Sequence, residues 1–171
     1  MTTRSNANAS VQAIIDHVFN DSALLEEALH AAGTHYRNVD GRLVLGNNKR
    51  LALLGDKILH LIVVDHWYPQ GGKTGTLKLS IVRARSADLY IEDASNIIQH
   101  TGSNANLCIV GRQVGLEKHI ILPVSHFGAV PDKVIATTVE ALLGAVFLDA
   151  GKNIDAVKPV MRALGLGLEP M

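Results

Sequence analysis

Two carboxylates in this chain stand where carboxylates are costly. Asp56 lies inside the apolar run from Leu51 to Val64, and Glu140 lies inside the apolar run from Val134 to Leu148. A lone buried carboxylate must be paired, hydrogen-bonded or bound to a cation. Two apolar segments with one acid each therefore suggest one shared polar site, where a divalent cation reconciles the two like charges. Ala52, Asp56 and His60 fall four residues apart and share one helical face. That stripe reads equally well as the exposed side of an amphipathic helix. The surroundings of Glu140 are almost wholly apolar or small. Thr137 precedes it by three residues and Gly144 follows it by four, which leaves room for a ligand or for close packing of another helix.

Other chemistry finds less support. His30 and His35 are five apart and His60 and His66 are six apart, spacings that do not put both rings on one face for zinc. The single cysteine, Cys108, has no activating neighbour and reads as a core residue. It also excludes a disulfide within the chain. Gly71-Gly72-Lys73-Thr74 resembles the tail of a phosphate loop, but the leading glycine and the preceding strand are missing.

The elements that must carry these residues follow from periodicity. The chain has 171 residues, 47% hydrophobic and only 4% aromatic, which suits a helical core of Leu, Ile, Val and Ala. Sixteen basic residues balance sixteen acidic ones, so nucleic-acid binding must use a local patch. Residues 1–10 read as a flexible terminus, too short and polar for a secretory signal. A degenerate mitochondrial leader stays open, so an intracellular setting is expected with cytoplasm and mitochondrion unresolved. Residues 11–171 read as one domain.

Helices are expected from Val11 to Val18, Ala23 to Ala32, Asn48 to Trp67, about Ser80 to His100, Ser103 or Asn104 to Val114, Asp132 to Ala150 and Ile154 to Leu164. Asn20, Asp21 and Ser22 are candidate caps for the second, Asp132 for the sixth. Residues 34–46 read as a loop with an Asp40-Gly41 turn signal. The outcome is an all-α chain of about seven helices, with no run long enough to span a membrane.

At the two acid-bearing stretches the chain resembles the ribonuclease III family. The first motif reads Asn48-Lys49-Arg50-Leu51-Ala52-Leu53-Leu54-Gly55-Asp56. The second reads Thr137-Thr138-Val139-Glu140-Ala141-Leu142-Leu143-Gly144-Ala145-Val146-Phe147-Leu148-Asp149-Ala150-Gly151. Phe19-Asn20-Asp21 to Ala28-Leu29-His30, and Ser103-Asn104 to Leu107 with Gly115-Leu116, are lesser matches in the right order. The resemblance covers residues 11–165. It implies the all-α fold of that family's endonuclease domain, and cleavage of double-stranded RNA with magnesium or manganese. It also implies a homodimer formed through the helix over 48–64, with Leu53 and the apolar face of 58–64 in contact with a second copy.

In family enzymes four acids usually line the site, two four apart and two three apart. Here Asp56 and Glu140 are kept as catalytic residues and metal ligands, while Ala52 and Thr137 stand at the other two positions. Lys49 stands where a further acid is common. Thr137 is left as a residue that can hydrogen-bond a metal-bound water. No double-stranded-RNA-binding domain is recognised in the sequence. Phosphate contacts are then expected from Lys49, Arg50, Lys73 and Lys78, with Arg83 and Arg85 as further candidates. The substitutions at Ala52, Thr137 and Lys49 keep a second reading open: an inactive protein of this fold that binds RNA or a ribosome, such as the mitochondrial one, as a structural component. A third is an interaction module whose seam is its only function.

Overall fold

Helix α6 (Asp132–Asp149) is buried over most of its length, and much of the rest of the chain packs around it. Ile135, Ala136, Val139 and the whole run from Ala141 to Val146 are inaccessible, the signature of a helix at the centre of a core. In the computed structural model, residues 2–34, 37–39, 42–44, 47–68 and 95–166 are described. Among them are seven α-helices: α1 (Thr2–Ile15), α2 (Ser22–Leu29), α3 (Lys49–Trp67), α4 (95–101), α5 (Asn104–Gln113), α6 and α7 (Val157–Ala163). Helices α3, α5 and α2 pack directly on α6. The expected all-α architecture is the observed one.

Helix α3 shows why sequence period becomes packing. Leu51, Ala52, Gly55, Ile58, Leu59, Ile62 and Val63 recur at helical spacing, and all are buried. They form the face that lies on α6. A fully buried Leu or Ile contributes about 1.5–3 kcal/mol, so this face alone fixes the helix against its neighbour. Asn48 precedes α3 without capping it. Its side-chain amide instead donates to the Ala28 carbonyl (3.0 Å) and to Thr138 Oγ1 (3.2 Å), tying α2 and α6 to the start of α3.

Several boundaries differ from the sequence expectation, each for a physical reason. Helix α1 starts at Thr2, running back through the stretch expected to be a flexible terminus. Asn8 Nδ2 donates to Glu26 Oε1 at 2.8 Å and ties that extension to α2. Helix α2 stops at Leu29 rather than Ala32. There the backbone leaves the helix to form a parallel bridge, with the Ile121 amide on the Leu29 carbonyl (2.8 Å) and the Ala31 amide on the Ile121 carbonyl (2.9 Å). Asp21 caps α2 as expected, accepting from the Ala23 amide.

Inside the expected 34–46 loop lies an antiparallel pair, β1 (Arg37–Val39) and β2 (Arg42–Val44), in the register Arg37 to Val44 and Val39 to Arg42. The Asp40-Gly41 turn signal falls between them, outside the described residues. Asp132 does not cap α6. Pro131 holds that position, and the Asp132 carboxylate, in the first turn, accepts from Arg112 Nη2 at 2.7 Å. The final helix is split into a 3-10 turn (Ile154–Ala156) and α7. Most of the expected 80–100 helix and the Gly71–Thr74 stretch lie outside the described residues.

Asp149 at the end of α6 organises the α1–α2 connection. Its Oδ1 accepts from the Asp21 amide (2.8 Å), and its Oδ2 accepts from His17 Nε2 (3.0 Å) and the Asn20 amide (3.2 Å). Burial opposes its charge, but the Asp21 amide, His17 and the Asn20 amide outweigh that and hold its carboxyl below the usual range. A carboxyl depressed in the folded state contributes stability above its unfolded value, and loses it as pH falls through the folded one. Asp149→Asn is therefore expected to cost about 1.5–3 kcal/mol at pH 7 and much less in strong acid, where both proteins carry a neutral group. Urea unfolding of both proteins across that range checks it. An equal loss at all pH values would refute the charge-based account.

Candidate active site

The site is built where α3 and α6 cross, and the crossing is closer than side chains normally allow. Each helix places a glycine there. A Cβ on Gly55 would run into the Glu140 carbonyl oxygen and sit 2.9 Å from the Gly144 amide nitrogen. A Cβ on Gly144 would run into the Leu51 carbonyl oxygen. The backbones touch, so Asp56, next to Gly55, and Glu140, whose carbonyl Gly55 faces, come from opposite helices to one place. The room that Gly144 leaves beside Glu140 is filled by helix α3 and not by a ligand.

The electrostatics record the same meeting. The Glu140 carboxyl is pushed up to about 7, first by burial and then by the negative charge of Asp56, with Lys57 acting in the opposite sense. A carboxyl whose ionisation is opposed by burial and by a neighbouring carboxylate marks a site short of positive charge. Asp56 is only partly exposed. Its Oδ2 lies 2.9 Å from Lys57 Nζ and its Oδ1 lies 3.5 Å from His60 Nε2. The His60 ring in turn abuts Gly102, where a Cβ would come within 2.6 Å of Nε2. The stripe Ala52, Asp56, His60 is thus not a solvated face: Ala52 is 4% exposed and packs in the core.

Thr137 is half-buried on α6, one turn before Glu140. Its neighbour Thr138 is fully buried, donating to the Val134 carbonyl and accepting from Asn48. Lys49 and Arg50 are exposed on the first turn of α3. Lys73, Lys78, Arg83 and Arg85 lie outside the described residues. Lys57 is a residue that motif reading passes over. It follows Asp56 directly, and on a helix adjacent residues do not face each other, so its contact with Asp56 has no periodic signal.

As a metal centre the arrangement offers two hard carboxylate donors. Among the described residues no group of three or more His, Cys, Asp or Glu side chains gathers closely enough to hold an ion. Magnesium takes one or two carboxylates and keeps several waters, so the pair fits one such ion, held mostly by water and therefore weakly.

Known proteins share this sequence and shape. The profile of a family described as ribonuclease-III-like matches residues 21–164. Ribonuclease 3 of Bordetella pertussis is 34% identical over 146 residues, covering 84% of this chain and 48% of that protein. Ribonuclease 3 of Corynebacterium diphtheriae is 32% identical over 131 residues, covering 75% and 47%. The chain spans about half the length of these curated relatives. The crystal structure of the nuclease domain of ribonuclease III from Campylobacter jejuni has the same fold, with a TM-score of 0.71 at 20% identity over 95% of this chain and 97% of that one. A second structure of that domain, described as flexible in the region involved in dimer formation, gives 0.67 at 18% identity over 93% and 96%.

Proposed function

The chain belongs to the ribonuclease-III-like family, and from that premise we propose that it is an endoribonuclease that hydrolyses double-stranded RNA with a divalent cation. The observation that carries this reading is the meeting of Asp56 and Glu140 across the Gly55–Gly144 crossing. A magnesium or manganese ion bound there would supply an activated water and offset charge on the scissile phosphate. Asp56 and Glu140 would hold the ion from two helices whose backbones are in contact, which fixes the two backbone positions relative to each other. Thr137, one helical turn before Glu140, would hydrogen-bond a water held by that ion. Lys49 and Arg50, with Lys73 and Lys78, bind phosphates of the duplex by charge, which needs no base readout. An intracellular setting accompanies this reading, in cytoplasm or mitochondrion.

The test is incubation of the purified protein with a long RNA duplex in magnesium and in manganese, beside Glu140→Gln. Metal-dependent shortening that vanishes in the variant supports the proposal. Intact but retarded duplex favours the second reading, an inactive protein of this fold that binds RNA or a ribosome. That reading draws on two observations. Ala52 is buried and without a donor, and the charge of Asp56 is already met by Lys57.

The proposed enzyme acts as a homodimer through α3. Ile58, Leu59, Ile62 and Val63 belong to the core of the same chain and are not available for that contact. Leu53, expected at that contact, is exposed, as are Leu61 and Val64 within the 58–64 segment and Tyr68 just beyond the helix. Leu61→Asp is expected to convert a dimer to monomer in sedimentation velocity while leaving the helical signal unchanged. A wild-type protein that is monomeric at high concentration would remove this part of the proposal. Among the described residues no helix is long and apolar enough to cross a membrane.

A further inference from the structure

Lys57 sits in the middle of an apolar stripe. Leu53, Lys57, Leu61, Val64 and Tyr68 follow one another at intervals of four, four, three and four, which is a single helical face. The lysine side chain is 70% exposed, yet its ammonium turns off the stripe to the carboxylate of the preceding residue. Helical geometry does not impose that contact, because neighbours in sequence diverge around the helix. The local field does: two carboxylates converge there, and Lys57 acts electrostatically on Glu140 as well as pairing with Asp56.

We infer that Lys57 is the resident counter-cation of the acid pair, and that a divalent ion must displace its ammonium from Asp56 in order to bind. The inference rests on the reading of Asp56 and Glu140 as metal ligands. Oδ2 of Asp56 has an ammonium at 2.9 Å, and a magnesium ion needs that oxygen at about 2.0–2.1 Å. Two positive centres on one oxygen repel, so one must leave. Oδ1, with His60 Nε2 at 3.5 Å, belongs to the same carboxylate, so an ion that approaches it meets the same ammonium charge. Retreat is open to Lys57. Rotation about its own four-carbon stem is enough to swing the ammonium clear of Asp56. Lys57 therefore does two things. It keeps two converging acids tolerable when no ion is bound, and it lowers the affinity of the site below what two free carboxylates would give.

The experiment is titration of the full chain with manganese, read by isothermal calorimetry or by the loss of the free-ion electron paramagnetic signal. Lys57→Met is expected to tighten binding by about fivefold or more. Lys57→Arg should stay near wild type, because it keeps the charge. Lys118→Met removes the same charge from an exposed position in the 3-10 turn Leu116–His119 and should change affinity by less than about twofold. Manganese binding that Glu140→Gln abolishes but Lys57→Met leaves unchanged or weakens would overturn the inference while leaving the metal ligands in place. If the wild-type protein shows no Glu140-dependent manganese binding, the metal reading itself fails and this inference falls with it. Circular dichroism on each variant separates loss of fold from loss of the site.

Discussion

Glu140→Gln is expected to abolish metal-dependent cleavage of an RNA duplex, by at least about 100-fold, and to leave the protein as stable as wild type or more stable at pH 8. Loss of partners one layer outside a metal already costs about 10–100-fold, and Glu140 is one of only two donors proposed here. The stability half follows from linkage. The carboxyl is pushed up to about 7 by burial and by the charge of Asp56, from an ordinary value of 4.5. Between those values the folded protein holds a proton that the unfolded chain has released. The stability tied to this group is thus full below about pH 4.5, falls as pH rises towards 7, and stays low above it.

Glutamine removes the ionisation and flattens that fall. Urea unfolding of wild type and variant at pH 5 and pH 8 checks the sign, and the duplex assay checks the chemistry. A variant that is inactive because it is destabilised at both pH values would refute the account. A variant that is stable and still cleaves would remove Glu140 from the site. Asp56→Asn should also remove cleavage, and by relieving the like charge it should draw the Glu140 carboxyl back down.

The second large effect is steric. Gly55→Ala and Gly144→Ala each place a methyl group against backbone, not against the end of a flexible side chain. Overpacking a core typically costs 1–3 kcal/mol, and more where the obstacle cannot move. The obstacles here are the carbonyls of Glu140 and Leu51, fixed within their own helices. Each variant is expected to lose about 3 kcal/mol or more of stability by denaturant unfolding, and activity with it, because separating α3 from α6 separates Asp56 from Glu140. Alanine at Gly165, where nothing lies near the added atom but the backbone φ is +77°, should cost less and spare activity.

Periodicity made the framework of this site legible in the sequence, while contacts between elements were not. The buried face of α3 and the apolar run of α6 declare themselves as helices through spacing alone. So does the anomaly of one acid in each. Gly144 was legible as a small residue beside Glu140, but spacing does not say whether the space belongs to a ligand or to another backbone. That choice is made by Gly55, nearly ninety residues away. The α2 boundary failed for a similar reason. At the stop the His30 ring takes the Glu26 carbonyl, and Ile121, some ninety residues on, recruits the backbone into a bridge. Asp132 had the right chemistry for a cap, but Pro131 occupied that place and Arg112 took the carboxylate. Helix α1 begins in a polar stretch with no apolar rhythm, so its first turns gave no signal. Lys57 escaped because it meets Asp56 by a bend of its own long side chain, a degree of freedom that no helical wheel contains.

The glycine contact between α3 and α6 has a further meaning for how this protein can change. In many enzymes reactive groups ride on loops that vary while the scaffold stays constant. Here the acids ride on the two most central helices, at the point where those helices touch. On the proposed reading, scaffold and chemistry are the same object. The reactive geometry cannot be retuned by a small backbone adjustment, since any shift at the crossing is also a shift of the core. What remains adjustable is the layer of side chains around the acids, where Ala52, Thr137 and Lys57 stand. Diversification of such a protein proceeds by exchanging charge and donors on a rigid frame, and not by moving the frame.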